Sequence, residues 1–187
     1  AATFYSQALA GQASQSIQDN ASYKLGWTQY KQGKLAEARE MFTTLAGRNP
    51  SGLLEQTRFM VAECYFDLKD YANAYTNYSN HLAAIEASAV AGDAIKQLAR
   101  LHAAQAANKL KKHDEALELA EGFVERYDES PSVADAWFEI GEARRGKNEI
   151  NLAVEAYETA ASTGSARLAA RSRCMVGEIY FAQETYD

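Results

Sequence analysis

The chain has 187 residues, 47% of them hydrophobic, and a formal net charge of −6. Its apolar content suffices for a folded core, and the shortage of clustered Lys and Arg argues against nucleic acid as a partner, because neutralising phosphates requires such clusters. No apolar run approaches the ~20 residues that span a bilayer, so the sequence predicts no membrane insertion.

The first predicted element, residues 1–16, carries apolar residues at helical spacing, with Tyr5, Ala8 and Leu9 among them. It is predicted to be the second helix of a repeat whose first helix would precede it. We therefore expect the sequence to be a fragment of a longer protein.

The next segment, residues 19–52, has the most regular pattern in the chain. Its first helix carries a small residue, Gly26, where a neighbouring helix is expected to approach closely. A polar turn leads to a second helix with Ala38 and Phe42. These two residues are predicted to form another close contact and to fill the gap within the helix pair.

Two registers indicate that this unit is repeated. Small residues that follow an apolar residue recur at spacings of 36, 42, 37 and 36 residues. They are Gly26, Ala62, Ala104, Gly141 and Gly177. A second register, an Ala followed four positions later by a ring or a small residue, has spacings of 36, 42 and 37 residues. Its members are Ala38, Ala74, Ala116 and Ala153.

The agreement of the two registers predicts a single array. Its repeats are residues 19–52, 55–88, 94–131 and 134–165, followed by a truncated repeat at 166–187. The wider spacing falls between the second and third repeats. It predicts a longer second helix that is broken near Gly92, with Asp93 as the cap of the next helix.

The pattern resembles the tetratricopeptide repeat. The resemblance rests on Leu25 and Gly26 in the first helix, on Ala38 and Phe42 in the second, and on the closing Pro50. A self-similar period of ~34 residues is typical of stacked helix pairs. The resemblance implies an all-α fold, a right-handed α-α superhelix of antiparallel helix pairs whose concave groove is lined by the first helices.

The sequence lacks a recognisable constellation of catalytic or metal-binding residues. The three histidines do not have the spacing of a zinc site. No glycine-rich phosphate loop follows a predicted strand, and no nucleophile motif surrounds the serines. We predict no enzyme, no catalytic residue, no cofactor and no metal. Cys64 and Cys174 are predicted to be core thiols, because a disulfide would have to join non-adjacent repeats.

The predicted function is a non-catalytic protein–protein interaction scaffold that binds a peptide or a helix of a partner in its groove. The resemblance places the groove-facing positions on the first helix of each unit. The candidate partner-binding residues are Tyr23, Trp27, Tyr30, Phe59, Met60, Glu63, His102, Phe138 and Arg145. Trp27 stands out, because the family pattern favours a polar residue there and Trp is enriched at binding hot spots.

Two alternatives remain open for these rings. Tyr30 is equally consistent with packing between helices, because an aromatic stripe at helical spacing is usually core. A neighbouring repeat, or a segment outside this sequence, would also account for Trp27 by covering it.

A narrower resemblance concerns the link between the third and fourth repeats. Residues 123–137 are similar to the Phe-x-x-x-Tyr-Pro-x-Ser-Pro link of bacterial envelope repeat proteins, the Tol–Pal partner and the outer-membrane assembly lipoprotein, although Asp128 replaces the first Pro. This favours a bacterial protein of the periplasm or the cytoplasm, with the periplasm slightly favoured. The alternative functions are a regulatory or targeting module of a larger enzyme and a bacterial cell-envelope assembly factor. Self-association through the truncated ends, where Phe181 and Tyr186 would present rings, is a further hypothesis.

Overall fold

A computed structural model describes residues 2–10, 13–86 and 92–183 of the chain. These residues form α-helices joined by turns, and no strand occurs among them. The predicted all-α fold class is confirmed. None of the helices within the described ranges is long and apolar enough to cross a membrane.

The helices follow one another with short connections. They are α1 (Ala2–Ala10), α2 (Gln15–Lys31), α3 (Leu35–Gly47), α4 (Leu54–Asp67), α5 (Tyr71–Glu86), α6 (Asp93–Lys109), α7 (His113–Arg126), α8 (Val133–Gly146), α9 (Ile150–Thr163) and α10 (Ala166–Ala182). Residues up to Ala99 belong to one compact unit, called unit 1, and residues from Arg100 onward to a second, called unit 2.

Ring-over-glycine contacts hold the helix pairs together in both units. A Cβ added at Gly26 of α2 would lie 2.9 Å from the ring of Phe42 on α3. In unit 2, a Cβ at Gly141 of α8 would lie 2.7 Å from the ring of Tyr157 on α9. Contacts this short leave no room for a side chain, so the predicted close approach at these small residues is present in the structure.

The first helix of each pair ends in the same backbone conformation. The residue in the left-handed region is Gly33 (φ 75°), Lys69 (φ 62°), Lys111 (φ 58°) or Asn148 (φ 63°). Its N–H bonds to a carbonyl three residues back, and the following N–H bonds to one five residues back, as from Lys34 to Gln29 at 3.0 Å. This Schellman arrangement satisfies the last carbonyls of the helix. Of the four residues, only Gly33 adopts the conformation without a steric cost.

The structure differs from the sequence-based expectations at several boundaries. Gln15 and Ser16 begin α2 instead of continuing the first helix. Asp93 is the first residue of α6, and the carbonyl of Gly92 accepts the N–H of Ile95. The rest of the predicted break, residues 87–91, lies outside the described residues, as does Tyr186. The division of the chain into repeats of one array stays a prediction.

The two cysteines lie in different environments. Both are free thiols. Cys64 is fully buried in α4, as predicted, whereas Cys174 is exposed on α10. The expectation of a core thiol is therefore wrong for Cys174, because its face of α10 is not covered by another described element.

Candidate functional site

Unit 1 contains four half-buried rings on α2 and α4, here called the aromatic wall. They are Tyr23, Trp27, Tyr30 and Phe59. All four pack against one core cluster that contains Phe42. Each ring thus has one face in the core and an edge or face in contact with solvent. The sequence-based candidates of unit 1 are brought together by α2 and α4, the first helices of two successive pairs.

Hydrogen bonding and stacking fix the position of Trp27. Its Nε1 donates to the hydroxyl of Tyr23 over 2.9 Å, one helical turn away. The rings of Trp27 and Tyr30 meet edge to face, with centroids 5.6 Å apart. The Nζ of the exposed Lys31 lies 4.8 Å from the centroid of the Trp27 ring. The indole is therefore held in one orientation, and a positive charge stands beside it.

Tyr30 is anchored from the neighbouring helix. Its hydroxyl donates a 2.5 Å hydrogen bond to Oδ2 of Asp67 at the end of α4. Burial, followed by the hydrogen bond to this carboxylate, raises the pKa of Tyr30 well above its ordinary value. The phenol remains protonated and acts as the donor that ties α2 to α4.

Glu63 also lies on α4, and its carboxylate is hydrogen-bonded to a core residue. Its Oε1 accepts a hydrogen bond from the hydroxyl of the fully buried Tyr78 on α5. Burial and the nearby Glu63 charge raise the pKa of Tyr78 well above its ordinary value. Glu63 is therefore half-buried and positioned by the core beneath it.

Two of the predicted groove residues lie in the core. Met60 is 4% exposed and Phe138 is 1% exposed. Met60 belongs to the cluster beneath the aromatic wall. Phe138 packs against Tyr157, and the guanidinium of Arg171 lies 3.9 Å from its ring centroid. Both side chains are turned inward, so the expectation that they line a binding surface is not met in the structure.

The corresponding surface of unit 2 is charged. Arg145 lies 3.7 Å from Oε1 of Glu142 and 3.5 Å from Oε2 of Glu178. The same Oε1 of Glu142 accepts a 2.5 Å hydrogen bond from the hydroxyl of the buried Tyr157. Burial and this hydrogen bond raise the pKa of Tyr157 well above its ordinary value. Arg145 is half-buried and lies between the carboxylates of Glu142 and Glu178.

The remaining candidate of unit 2, His102, is half-buried on α6 near a second set of titratable groups. Burial raises the pKa of Asp135, against the opposing effect of Arg171 and His102. On the same helix, the Nδ2 of Asn108 donates to Oε2 and to the main-chain carbonyl of Glu139, both over 2.9 Å. Burial is the main cause that raises the pKa of Glu139 to about 7.

Two further residues contact rings of the aromatic wall but were not among the predicted site residues. They are Lys31 and Asp67. A four-residue step from Trp27 to Lys31 would have indicated a shared helix face. The pairing of Tyr30 with Asp67 spans two helices and has no local signal. Within the described ranges, no group of three or more His, Cys, Asp or Glu side chains could hold a metal ion.

Comparisons with known families identify two parts of the chain. Residues 1–81 match the family model of anaphase-promoting complex, cyclosome, subunit 3. Residues 101–166 match the family model of the tetratricopeptide repeat. No curated protein sequence matches the chain.

Several solved structures share the fold. MamA (41 to the end) from Desulfovibrio magneticus RS-1 has a TM-score of 0.72 at 16% identity, covering 89% of this chain and 86% of that one. YrrB, a TPR protein with an unusual peptide-binding site, has a TM-score of 0.71 at 20% identity, covering 92% and 81%. A putative kinesin light chain from Podosopora anserina with nearly identical TPR-like repeats has a TM-score of 0.70 at 15% identity, covering 87% and 84%. At these identities the likeness concerns the fold.

Proposed function

Since the chain belongs to the tetratricopeptide-repeat family, we propose that it is a non-catalytic scaffold that binds a peptide or a helix of a partner protein on the aromatic wall of unit 1. The fold itself is that of a protein–protein interaction module. The specific surface is assigned from Tyr23, Trp27, Tyr30 and Phe59, which are the sequence-predicted candidates of unit 1 that reach solvent as rings.

The observation that carries this proposal is the pre-organisation of the wall. The indole N–H of Trp27 is satisfied by Tyr23, and the hydroxyl of Tyr30 is satisfied by Asp67. A ligand therefore need not compensate for unpaired polar atoms, and the rings lose little freedom on binding. Large aromatic side chains fixed in this way supply contact area at a low entropic cost.

The chemistry around the rings also indicates the kind of segment that fits. Lys31 is exposed and lies over Trp27 and Tyr30, at 4.8 Å and 5.9 Å from their centroids. An apolar anchor on the partner would cover the indole, and an adjacent carboxylate would pair with the Lys31 ammonium. We expect a peptide or an amphipathic helix with an apolar residue next to an acidic one.

The proposal is tested with a peptide selected from a random displayed library against the 187-residue protein. The double variant Tyr23→Ala/Trp27→Ala should bind this peptide at least tenfold more weakly, because the loss of hot-spot aromatics typically costs ~2 kcal/mol or more. The matched control is Phe4→Ala/Phe181→Ala, which removes two rings that are 74% and 68% exposed elsewhere. Equal affinity of wild type and the Tyr23/Trp27 variant, with both folded by circular dichroism, would refute the assignment.

The link that resembles envelope repeat proteins favours a second candidate, a bacterial cell-envelope assembly factor. It connects α7 to α8, and the rings of Phe123 and Tyr127 pack edge to face with centroids 5.2 Å apart. Immunodetection in periplasmic and cytoplasmic fractions of the native cell tests it. The protein should be periplasmic, and a purely cytoplasmic signal would exclude this candidate. A module of a larger enzyme would use the same aromatic wall, with catalysis in another part of the protein.

Self-association is the remaining alternative. Phe4 on α1 and Phe181 on α10 are exposed large apolar residues, and such rings can dock on a second copy. Light scattering over a wide concentration range tests this alternative. A monomer at every concentration would exclude it.

A further inference from the structure

The helix α10 presents an uncovered position for an aromatic ring. In unit 1, the ring of Phe42 covers the small residue Gly26 of the preceding helix. In unit 2, the ring of Tyr157 covers Gly141 in the same way. Gly177 holds this repeat position on α10, 36 residues after Gly141. Apart from the backbone of α10 and the two chain neighbours, no atom of the described residues lies within 4 Å of a Cβ at Gly177.

The residue that follows the small one indicates which ring fits. In two helix pairs this residue is a glutamate that accepts the hydroxyl of a tyrosine. Glu63 accepts the hydroxyl of Tyr78, and Glu142 accepts that of Tyr157 over 2.5 Å. Glu178 follows the small residue of α10. The ring that completes this position, here called the ring site (Gly177 and Glu178), is therefore expected to be a tyrosine.

The surroundings of Glu178 and Glu142 are otherwise alike. The guanidinium of Arg145 lies 3.7 Å from Oε1 of Glu142 and 3.5 Å from Oε2 of Glu178. The two carboxylates thus share one cation, and only Glu142 has a phenol beside it. The side chain of Glu142 is 22% exposed, whereas that of Glu178 is 57% exposed. The difference is the cover that a ring provides.

The helix α1 carries a tyrosine in the required register. Tyr5 lies 37 residues before Phe42, at the position of the second-helix rings. Phe42 and Leu45 on α3 are fully buried, but their repeat equivalents on α1, Tyr5 and Ala8, are only half-buried. The face of α1 that carries Tyr5 therefore leaves apolar surface uncovered that α3 buries. No charged side chain occurs between Ala2 and Ala10, so covering α1 requires no ion to be desolvated.

The two uncovered surfaces are complementary in chemistry. α1 offers a phenol that lacks a small residue beneath it, and α10 offers a small residue and a carboxylate that lack a phenol. They do not meet within one molecule, since no side chain of the described residues reaches the Cβ position of Gly177. A second copy of the chain supplies the missing tyrosine in the repeat register.

We propose that α1 of one copy docks on α10 of a second copy, with the ring of Tyr5 over Gly177 and its hydroxyl donating to Glu178. The contact is heterologous, because each copy offers the ring on one surface and the ring site on another. Successive copies would repeat the aromatic wall, so a partner with several binding segments would be held by avidity.

This proposal gives the self-association alternative a defined contact and rests on it. The function proposed for the aromatic wall does not depend on the contact, because α1 and α10 contribute no residue to the wall. The peptide test of the wall uses Tyr23→Ala/Trp27→Ala, which leaves Tyr5 and the ring site unchanged. Failure of one proposal is therefore distinguishable from failure of the other.

The experiment measures association of the 187-residue protein by sedimentation velocity over a wide concentration range. Tyr5→Ala removes the ring and keeps the ring site, whereas Gly177→Trp fills the ring site and keeps the ring. Each variant alone should remain monomeric at concentrations at which the wild type associates. An equimolar mixture of the two should form a heterodimer and no larger species, because only one intact contact is available. The mixture also shows that both variants are folded.

Two further sets of variants sharpen the test. Gly47→Trp is the matched control for the filled ring site, because the Cβ of this helical glycine also meets no atom of the described residues. It should associate like the wild type. Tyr5→Phe and Glu178→Ala should each weaken association about tenfold, because each removes a charge-assisted hydrogen bond. The double variant should lose little more, since both changes remove the same bond.

Several outcomes would overturn the proposal. A wild type that is monomeric at every concentration would do so, as would a mixture that stays monomeric while both variants are folded by circular dichroism. Association that survives in both variants would place the contact elsewhere, for example at Phe4 and Phe181. An NMR contact in the dilute monomer between Gly177 and a ring of the same molecule would show that the chain itself covers α10, and would refute the second copy.

Discussion

The α2–α3 pair of unit 1 and the α8–α9 pair of unit 2 fill the same repeat position with opposite chemistry. In unit 2, Tyr157 lies over Gly141, and its hydroxyl donates to Glu142, the residue directly after that glycine. In unit 1, the ring over Gly26 is Phe42, which has no hydroxyl, and the residue after that glycine is Trp27.

The α4–α5 pair shows which of the two arrangements is the exception. Glu63 follows Ala62 and accepts the hydroxyl of Tyr78, as Glu142 accepts that of Tyr157. A buried phenol needs an acceptor, whereas a phenyl ring needs apolar cover. Trp27 supplies such cover as part of the layer that packs against the Phe42 cluster. The ring on the second helix of a pair is therefore matched by the residue that follows the small residue on the first helix. Phe42 is matched by Trp27, and Tyr78 and Tyr157 are matched by Glu63 and Glu142. The same choice places an indole after the small residue on α2 and a carboxylate after the small residue on α4 and on α8.

The largest effect on this arrangement is expected from filling the space under the rings. Gly141→Ala places a Cβ 2.7 Å from Tyr157, so the helices must separate, and we expect the free energy of unfolding to fall by about 2 to 3 kcal/mol. Gly26→Ala should have a slightly smaller effect, because its Cβ would lie 2.9 Å from Phe42. Urea unfolding measures both.

The control for these variants is Gly177→Ala on α10. Apart from the backbone of α10 itself and the two chain neighbours, no atom of the described residues lies within 4 Å of a Cβ at this position. Alanine should stabilise the helix there by about 0.5 to 1 kcal/mol. If Gly141→Ala were as well tolerated as Gly177→Ala, the ring would not be packed on the glycine as described.

Effects of similar size are expected from pH, with opposite signs in the two units. Burial and Arg58 lower the folded-state pKa of His81 from 6.5 to about 4. The contribution of this group to stability is therefore complete above pH 6.5 and is lost as the pH falls toward 4. The loss should reach about 3 kcal/mol. His81→Leu should remove it, as measured by urea unfolding across this pH range.

Glu139 of unit 2 should behave in the opposite way. Burial raises its folded-state pKa from 4.5 to about 7, so the unfolded chain ionises first as the pH rises. Its contribution is therefore complete below pH 4.5 and is lost as the pH rises through 7. Glu139→Gln should flatten this decline of about 3 kcal/mol. If His81→Leu and Glu139→Gln changed the pH dependence of the free energy of unfolding in the same direction, the described environments would be contradicted.

A smaller effect on the free energy of unfolding is expected from exchanging phenyl and phenol rings, with Tyr157→Phe in unit 2 and Phe42→Tyr in unit 1. Tyr157→Phe removes the hydroxyl that donates to Glu142 and should cost about 1 to 2 kcal/mol. Phe42→Tyr should also destabilise unit 1, because its hydroxyl would meet Trp27 instead of a carboxylate. The double variant Phe42→Tyr/Trp27→Glu should recover about 1 kcal/mol of this loss in a double-mutant cycle measured by urea unfolding. Strictly additive effects would show that the two positions are not matched.

The smallest effect concerns the ends of the first helices. Gly33 ends α2 and Asn148 ends α8 with nearly the same left-handed backbone, at φ 75° and φ 63°. Asn148→Gly should therefore raise stability by a few tenths of a kcal/mol, and Lys69→Gly by about 0.5 to 1 kcal/mol, because Lys tolerates this region less well. Gly33→Ala should have the reverse effect. Thermal unfolding can resolve these differences, and a destabilising Lys69→Gly would contradict the described turn.

The regular part of the fold could be predicted because packing repeats along the chain. The helix pair is predicted from Gly26, Ala38 and Phe42, since small residues and the rings that cover them recur with the period of the repeat. The helix ends could not be predicted as well, because Lys69 and Lys111 adopt a left-handed backbone without any local sequence signal.

The candidate site was predicted less completely than the fold. Trp27 and Phe59 reach solvent, but Met60, the next residue on α4, turns into the core. Successive residues on a helix differ by about 100° in direction, so a small rotation of α4 decides which one is exposed. The role of Trp27 also depends on Phe42 across the helix pair, and the anchoring of Tyr30 depends on Asp67 of α4. Such pairings are tertiary and cannot be inferred from one helix at a time.

The contrast between the two cysteines gives the protein one practical property, selective chemical labelling. Burial, followed by the charges of Asp67 and Glu63, raises the pKa of the Cys64 thiol from 9.0 to about 12. The thiolate is the nucleophile that attacks an alkylating reagent, so we expect this fully buried thiol to be unreactive in the folded protein. Cys174 is exposed on α10, so a maleimide dye added to the native chain should attach to unit 2 without any engineered cysteine. A second equivalent of dye would then react with Cys64 only after unfolding, which turns the wild-type sequence into its own reporter of the opening of unit 1.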